Sequence, residues 1–484
     1  MILSSFKVDV SDPVSKEPTT TEVFVSADAP HLLKSFRNAL KNQGTLIIHP
    51  EYVKHFELPS DEVKWEAVLA LVEYDEGKTE SGTNREMKIA PHVTRDMCEL
   101  KGFSPMNVTP ARQVCHHKTA DSILFGIEHC GFPKEWKTTA KCFQIISDWY
   151  ELANSRGRIH SLTKKNFDAM IDRLQTGRDF ICTMKLHPNQ GQRYKPLQRG
   201  MILSFSSNSQ LSRRLLWDED FKFFRLGMAG NDPVENLHSQ IRGHQLLPTC
   251  LLYKRFVKAI SLTQLWSPLG KGRSYEDYTP ETFLTDLKSV KKLAEEQEEE
   301  YIADISHLIS LDFQPGDFAE ACSLAYLAGV ILNRTICTAS SCKTCQNAYI
   351  SCVDDEEQDE ANQLILYKEL DTGKLVRPTV LANSMFKIAE SVFKEERGKV
   401  KKNKGNILNI LTTTAVQVIK EKLEGLPTCH LYLIIFRFIR ARLFFWSELD
   451  NGRLQTDQSA MIENESFASK STRAHILTTQ KTRK

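Results

Sequence analysis

The chain has 484 residues, 41% of them hydrophobic, with 63 Lys and Arg against 61 Asp and Glu for a formal net charge of +2. That length predicts about two to four domains with ample buried core, and the near-neutral balance excludes a global electrostatic footprint: any nucleic acid has to be met by local clusters of Lys and Arg. The N-terminus shows no basic segment, apolar core and small-residue cleavage site of a signal peptide, and twelve cysteines without a regular framework fit a reducing compartment in which most are free core thiols.

Residues 1–20 are polar and turn-rich, with Pro13 and Pro18, and neither Asp9 nor Asp12 stands out by composition. The run TEVFVSADAPHLLKSFRNAL, residues 21–40, then alternates Val23 and Val25 with Phe24 and Ser26 as a strand does. It stops at Asp28, Ala29 and Pro30 and continues as a helix pattern through Leu32, Leu33, Phe36 and Leu40. A carboxylate at the junction of strand and helix suits a divalent-metal ligand. It equally suits a helix N-cap followed by proline in the first turn.

Gln43 to Tyr52 reads as a short strand after a glycine turn, and from Leu58 onward Trp65, Val68, Leu69 and Val72 take helical spacing. Residues 75–88 form a polar loop whose Gly77, Lys78 and Thr79 suggest a phosphate-binding loop. Val72 occupies the place where that loop requires glycine, so the motif is excluded. Residues 155–215 mix short helical runs with basic loops around Tyr194, which suit either a DNA backbone or a solvated surface. Further on, Asp232 and Glu235 head an amphipathic helix carrying Val234, Leu237 and Ile241. Asp232, Pro233 and Glu235 also read as an ordinary capping box.

After Phe256 the chain reads as helical. The segment SVKKLAEEQEEEYIADISHLISL pairs Lys with Glu as a charged surface helix. Cys337, Cys342, Cys345 and Cys352 cluster in sequence; one CxxC is half a zinc site, open to completion by Cys337 or Cys352 with a ligand such as His430. The spacing matches no standard zinc ribbon, and the neighbours equally suit buried thiols. Residues 431–446 are apolar but too short and too interrupted by Arg437, Arg440 and Arg442 to span a membrane, and so predict a buried helix. The polar stretch 451–484 predicts a disordered tail.

The run DAPHLLKSFRNAL resembles the segment around the second catalytic aspartate of P-element-type transposases, including the THAP-domain-containing relatives. NDPVENLHSQIR, followed by Pro248 and Thr249, resembles their distal acidic helix. Residues 65–74 with KIAPHVT, then TAKCFQIISDWYELANSR, then AYLAGVILNR through CKTC to LYKELDTGKLVRPTV are similar to successive parts of the same family, in order. The resemblance implies an α/β plus α chain. An RNase H-like domain (1–57 and 216–265) is split by a mostly helical GTP-binding insertion (58–215), followed by a helical C-terminal domain (266–450) and the tail.

It further implies nuclear, metal-dependent, GTP-assisted DNA cleavage and strand transfer, with DNA ends and GTP as partners, a homo-oligomer left open and no membrane. Asp28, Asp232 and Glu235 take the catalytic positions, with Asp28 and Glu235 on Mg²⁺ or Mn²⁺. Tyr150, Glu151 and Asn154 match the guanine-contacting segment, with Asn107 and His116 as neighbours; Glu151 stands where the family has Asp, and Pro105 and Asn107 where basic residues are usual. The family's zinc-binding DNA-recognition domain and first catalytic aspartate precede the position of Asp28 and find no counterpart in these residues, which implies impaired transfer. The alternatives are a domesticated, non-catalytic GTP- or protein-binding scaffold, or an incomplete gene model.

Overall fold

The computed structural model describes residues 5–11, 18–80, 82, 84–99, 107–158, 160–187, 194–230, 249–250, 252–255, 257–258, 305–311, 314–351, 359–369, 375–400 and 407–446. They fall into two units, residues 1–285 and 286–484.

The first unit begins with a hairpin. Strand β1 (Ser5–Ser11) runs antiparallel to β2 (Pro18–Phe24), with Ser5 opposite Phe24 and Ser11 opposite Pro18. The first twenty residues therefore carry a strand where only turns are expected: Phe6, Val8 and Val10 alternate with Lys7, Asp9 and Ser11 at the period of a strand. Residues 25–28 leave β2 extended and enter helix α1 (Ala29–Gln43), which buries Leu32, Leu33, Phe36 and Leu40 and ends at Gly44. Gly44, at φ +73, donates its N–H to Leu40 O, the left-handed stop that glycine adopts without strain.

Strands β3 (Thr45–Ile47) and β4 (Glu62–Lys64) pair antiparallel around the short helix α2 (Pro50–His55). The helical spacing from Leu58 is thus partly a strand, and helix α3 (Glu66–Glu76) starts only after Trp65. Beyond α3 the chain is irregular and is organised by Asp75. This buried carboxylate accepts from Ile89 N at 2.9 Å and Ala90 N at 2.8 Å, satisfying two buried donors at once.

Helices α4 (Arg95–Glu99), α5 (Val108–Val114), α6 (His117–His129), α7 (Lys137–Ala153), α8 (Phe167–Thr183) and α9 (Pro196–Arg213) complete the unit. Helix α6 packs on α7, α7 on α8 and α8 on α9, and α1 closes the bundle against α5, α7 and α9. Helices α8 and α9 are long and regular where short helical runs are expected. Among the described residues the strands form two separate two-stranded sheets, so the core of this unit is helical.

The elements of the second unit, among its described residues, are helices joined by turns and coil. Helix Phe318–Leu332 continues through a π-helical turn, Asn333–Ala339. By length and composition alone Phe318–Ala339 could cross a membrane, yet it packs as a core helix, with Ala325, Ala328 and Leu332 buried and Glu320 paired to Lys394 at 3.1 Å. Helices Val380–Val400 and Ile407–Lys422 pack together, and Phe386 meets Phe438 of the helix at 431–446 with ring centroids 5.2 Å apart. That last helix is buried as its sequence predicts. Its Arg437 donates to Thr335 Oγ1 at 3.0 Å, and its Arg442 grips the Glu390 carboxylate through two bonds of 2.7 Å, an ion pair inside the core.

Candidate active-site cleft

Among the described residues no strand pairs with residues 25–28, and α9 supplies side-chain partners instead. Ser204 Oγ accepts from Ala27 N and donates to Ala27 O, both at 2.9 Å, while Ser207 Oγ donates to Val25 O. Two hydroxyls one turn apart on a helix thereby take up backbone groups that a sheet neighbour would otherwise satisfy. Gly200 brings α9 close enough for this, since a Cβ there would meet Leu32 Cδ2 at 2.6 Å.

The result is a cleft lined by Asp28, Ala29, Asn154, Ser204, Asn208 and Gly230, among others. Asp28 is the N-cap of α1, with φ −65° and ψ 127°, and its Oδ2 accepts from His31 N at 3.3 Å. The 3₁₀ turn Leu226–Ala229 forms another wall. It is clamped to the end of α7: Gly227 N donates to Ser155 O at 3.1 Å, and a Cβ on Gly227 would lie 2.8 Å from the Asn154 carbonyl. Gly230 follows, and a Cβ there would stand 3.2 Å from Asp28 Oδ1. Glu235, the other expected metal ligand, and Asp232, the expected accessory carboxylate, lie outside the described residues; Gly230, the last described residue before them, stands against Asp28.

The expected guanine-contacting residues lie at the C-terminal end of α7, Asn154 being its C-cap, and have different partners. Asn154 lines the cleft, and its Nδ2 donates to Tyr150 Oη at 3.0 Å. Tyr150 is only 6% exposed, so its ring offers no open plane to a base. Glu151 turns towards the start of α6, where its carboxylate lies 3.6 Å from His116 Nε2. His116 caps α6 by accepting from Lys118 N at 3.1 Å, and Asn107 caps α5 by accepting from Thr109 N at 3.1 Å. The structure thus joins Asp28 and Asn154, placed by sequence in separate sites, and leaves Asn107 as a helix cap.

Beside Glu151, His117 Nε2 meets Asp148 Oδ1 at 2.9 Å, and Arg173 Nη2 approaches the same oxygen at 3.4 Å. Burial pulls the His117 pKa down, but the hydrogen bond and charge of Asp148, with Asp121 and Glu151 nearby, outweigh it and hold the value above that of a free histidine. Burial likewise works against the Asp148 carboxylate, yet His117 and Arg173 hold its pKa below the usual range. Sequence reading missed this pair because its members sit 31 residues apart on different helices.

Mg²⁺ takes carboxylate oxygens, and the half-buried carboxylate of Asp28 is chemically one such ligand. For a guanine nucleotide, the described fit rests on the Glu151 carboxylate and the Asn154 amide, and excludes stacking on Tyr150 as it now lies. Of the cysteines singled out by sequence, Cys352 lies outside the described residues. Cys337 stands half-buried in the π-helical turn, where burial raises its pKa.

Residues 308–433 match the family model described as DNA transposase THAP9, C-terminal domain. This bears out the resemblance to P-element-type transposases for that part of the chain. Among solved structures, the Drosophila P element transposase strand transfer complex is similar at 20% identity with a TM-score of 0.43. The match covers 54% of this chain and 55% of that one, so the chain spans about half the length of that transposase. No curated protein sequence matches the chain.

Proposed function

We propose, from a C-terminal region of P-element-type transposase kind, that the chain serves DNA transposition: metal-dependent, GTP-assisted cleavage and transfer of DNA ends in the nucleus. The observation that carries this reading is the position of Asp28. It lies at the mouth of a cleft, at the junction of strand and helix, with Gly230, the last described residue before Asp232 and Glu235, beside it. In the proposed site Asp28 and Glu235 would hold divalent ions, with Asp232 as an accessory carboxylate; such ions would supply activation of the attacking oxygen and stabilisation of the leaving one in phosphoryl transfer. The chain's own contribution is positional. The serine latch from α9 fixes residues 25–27, the α1 cap fixes the Asp28 rotamer, and the Gly227 clamp holds the turn Leu226–Ala229 on the same wall. The RNase H-like character of this unit is part of the proposal.

GTP is proposed to bind through Glu151 and Asn154, with Tyr150 holding Asn154 in place by its hydroxyl rather than stacking. Saturable GTP binding lost in Asn154→Ala is the expected titration result, and equal binding by both proteins removes this assignment.

A second reading, a non-catalytic scaffold, draws support from the same residue, because the bond from His31 N is what any N-cap aspartate makes. One substitution separates the two. Asparagine caps as well as aspartate, so Asp28→Asn keeps the helix but removes a metal ligand. Under the transposase reading, Mn²⁺ titration shows at least about tenfold weaker binding, about 1.4 kcal/mol or more, with an unchanged melting temperature. An Asp28→Asn protein that binds Mn²⁺ like the parent, while Asp28→Ala melts lower, leaves Asp28 as a cap and supports the scaffold.

A further inference from the structure

We propose that Cys342, Cys345, Cys429 and His430 form a closed tetrahedral zinc site that joins the middle of the C-terminal unit to its last helix. The four ligand atoms lie within 4.8 Å of one another. Cys342 is the N-cap of helix Lys343–Tyr349, and Cys345 follows one turn later on the same face. Cys429 and His430 sit in the turn that starts the helix at 431–446, 84 residues from Cys345. Sequence reading considered Cys337 and Cys352 beside this CxxC; the fold supplies Cys429 in their place.

The separations suit a metal better than a chance meeting of thiols. With Zn–S at about 2.3 Å and Zn–N at about 2.05 Å, a tetrahedron has S···S edges of about 3.8 Å and S···N edges of about 3.5 Å. Cys342 Sγ and Cys429 Sγ are 3.8 Å apart, and Cys345 Sγ and His430 Nδ1 are 3.5 Å apart. Cys345 Sγ to Cys429 Sγ is shorter, at 3.2 Å, yet more than 1 Å beyond a covalent S–S bond, and all of these cysteines are free.

The shell around the ligands is also built. The backbone amides of Cys345 and Thr344 hydrogen-bond to the Cys342 sulfur. Amides aimed at a sulfur in this way stabilise a thiolate, the form that binds metal. Tyr349 Oη donates to Pro427 O at 2.8 Å, and Gln346 Nε2 to Ile336 O at 2.9 Å, so both ligand-bearing turns are held before any ion arrives. Three sulfurs and one imidazole leave no open coordination position, which assigns the site to structure rather than catalysis.

The test is the metal content of the full chain, purified under reducing conditions without chelator and measured by inductively coupled plasma mass spectrometry. About one Zn²⁺ per chain is expected, falling near zero in Cys342→Ser and Cys429→Ser and unchanged in Cys337→Ser. Because a variant without zinc can also fail to fold, the parent protein refolded with Co²⁺ provides a second measurement: the intense visible bands of tetrahedral thiolate-bound Co²⁺ are expected. A parent chain with neither zinc nor that spectrum overturns the proposal. So does metal that survives Cys429→Ser but is lost in Cys337→Ser, or a Cys345–Cys429 disulfide found by peptide mass mapping in place of the ion.

Discussion

His117 and Asp148 form an ion pair whose two pKa values move apart, and the signs set its pH window. The His117 value is raised on folding. Its stabilisation is therefore complete below the unfolded value of about 6.5 and is lost as pH rises through the higher folded value. Asp148 is lowered, so its share is present above the unfolded value of about 3.8 and is lost as pH falls through the lower folded value. The pair thus contributes most between about pH 4 and 6.5. In thermal melts, the gap between the parent chain and His117→Gln is expected to be widest in that range and to narrow above it; a gap independent of pH rules the pairing out. The single residue also explains why part of this unit was hidden in the sequence. Asp75 reads as one more acid in a polar loop, and only folding shows that its carboxylate collects the amides of Ile89 and Ala90.

Among whole elements, the helix at 431–446 carries Arg437 and Arg442 into the core, where each finds an acceptor. The two bonds from Arg442 to Glu390 are the strongest case, since both side chains are almost wholly buried. Removing one partner strands the other charge in a poorly solvating interior. Arg442→Met is therefore expected to destabilise the C-terminal unit by about 3–5 kcal/mol, and adding Glu390→Leu to recover much of the loss, both read from urea unfolding. A single variant as stable as the parent contradicts that assignment. This helix was legible from its apolar run and interrupting arginines, as α1 was from its cap and its Leu32, Leu33, Phe36 and Leu40 stripe. Helices α8 and α9 were not. Gly177 and Gly200 weaken their helical pattern, and the reason for each glycine lies on a neighbour: a Cβ at Gly177 would meet Trp149 at 2.6 Å, and one at Gly200 would meet Leu32. The cleft was half legible: Asp28 stood at a readable junction, whereas Ser204 and Ser207 act only across the fold.

The division into units at residues 285 and 286 implies two cores with their own cooperativity. Expressed separately, residues 1–285 and 286–484 are each expected to give a sigmoidal urea transition with native-like helix content. A fragment that stays unfolded shows that its core depends on the other half. Within the first unit, the serine latch has a further consequence during synthesis. Ala27 and Ser204 are 177 residues apart, and at about 5–20 residues per second a ribosome delivers the second about 10–35 s after the first. For that interval the extended edge at 25–27 is out of the tunnel without the hydroxyls that finally occupy it. Unclaimed backbone of this kind invites pairing with another nascent strand. The waiting time of one short segment, rather than the stability of the finished cleft, then sets where a crowded polysome loses this protein to aggregation.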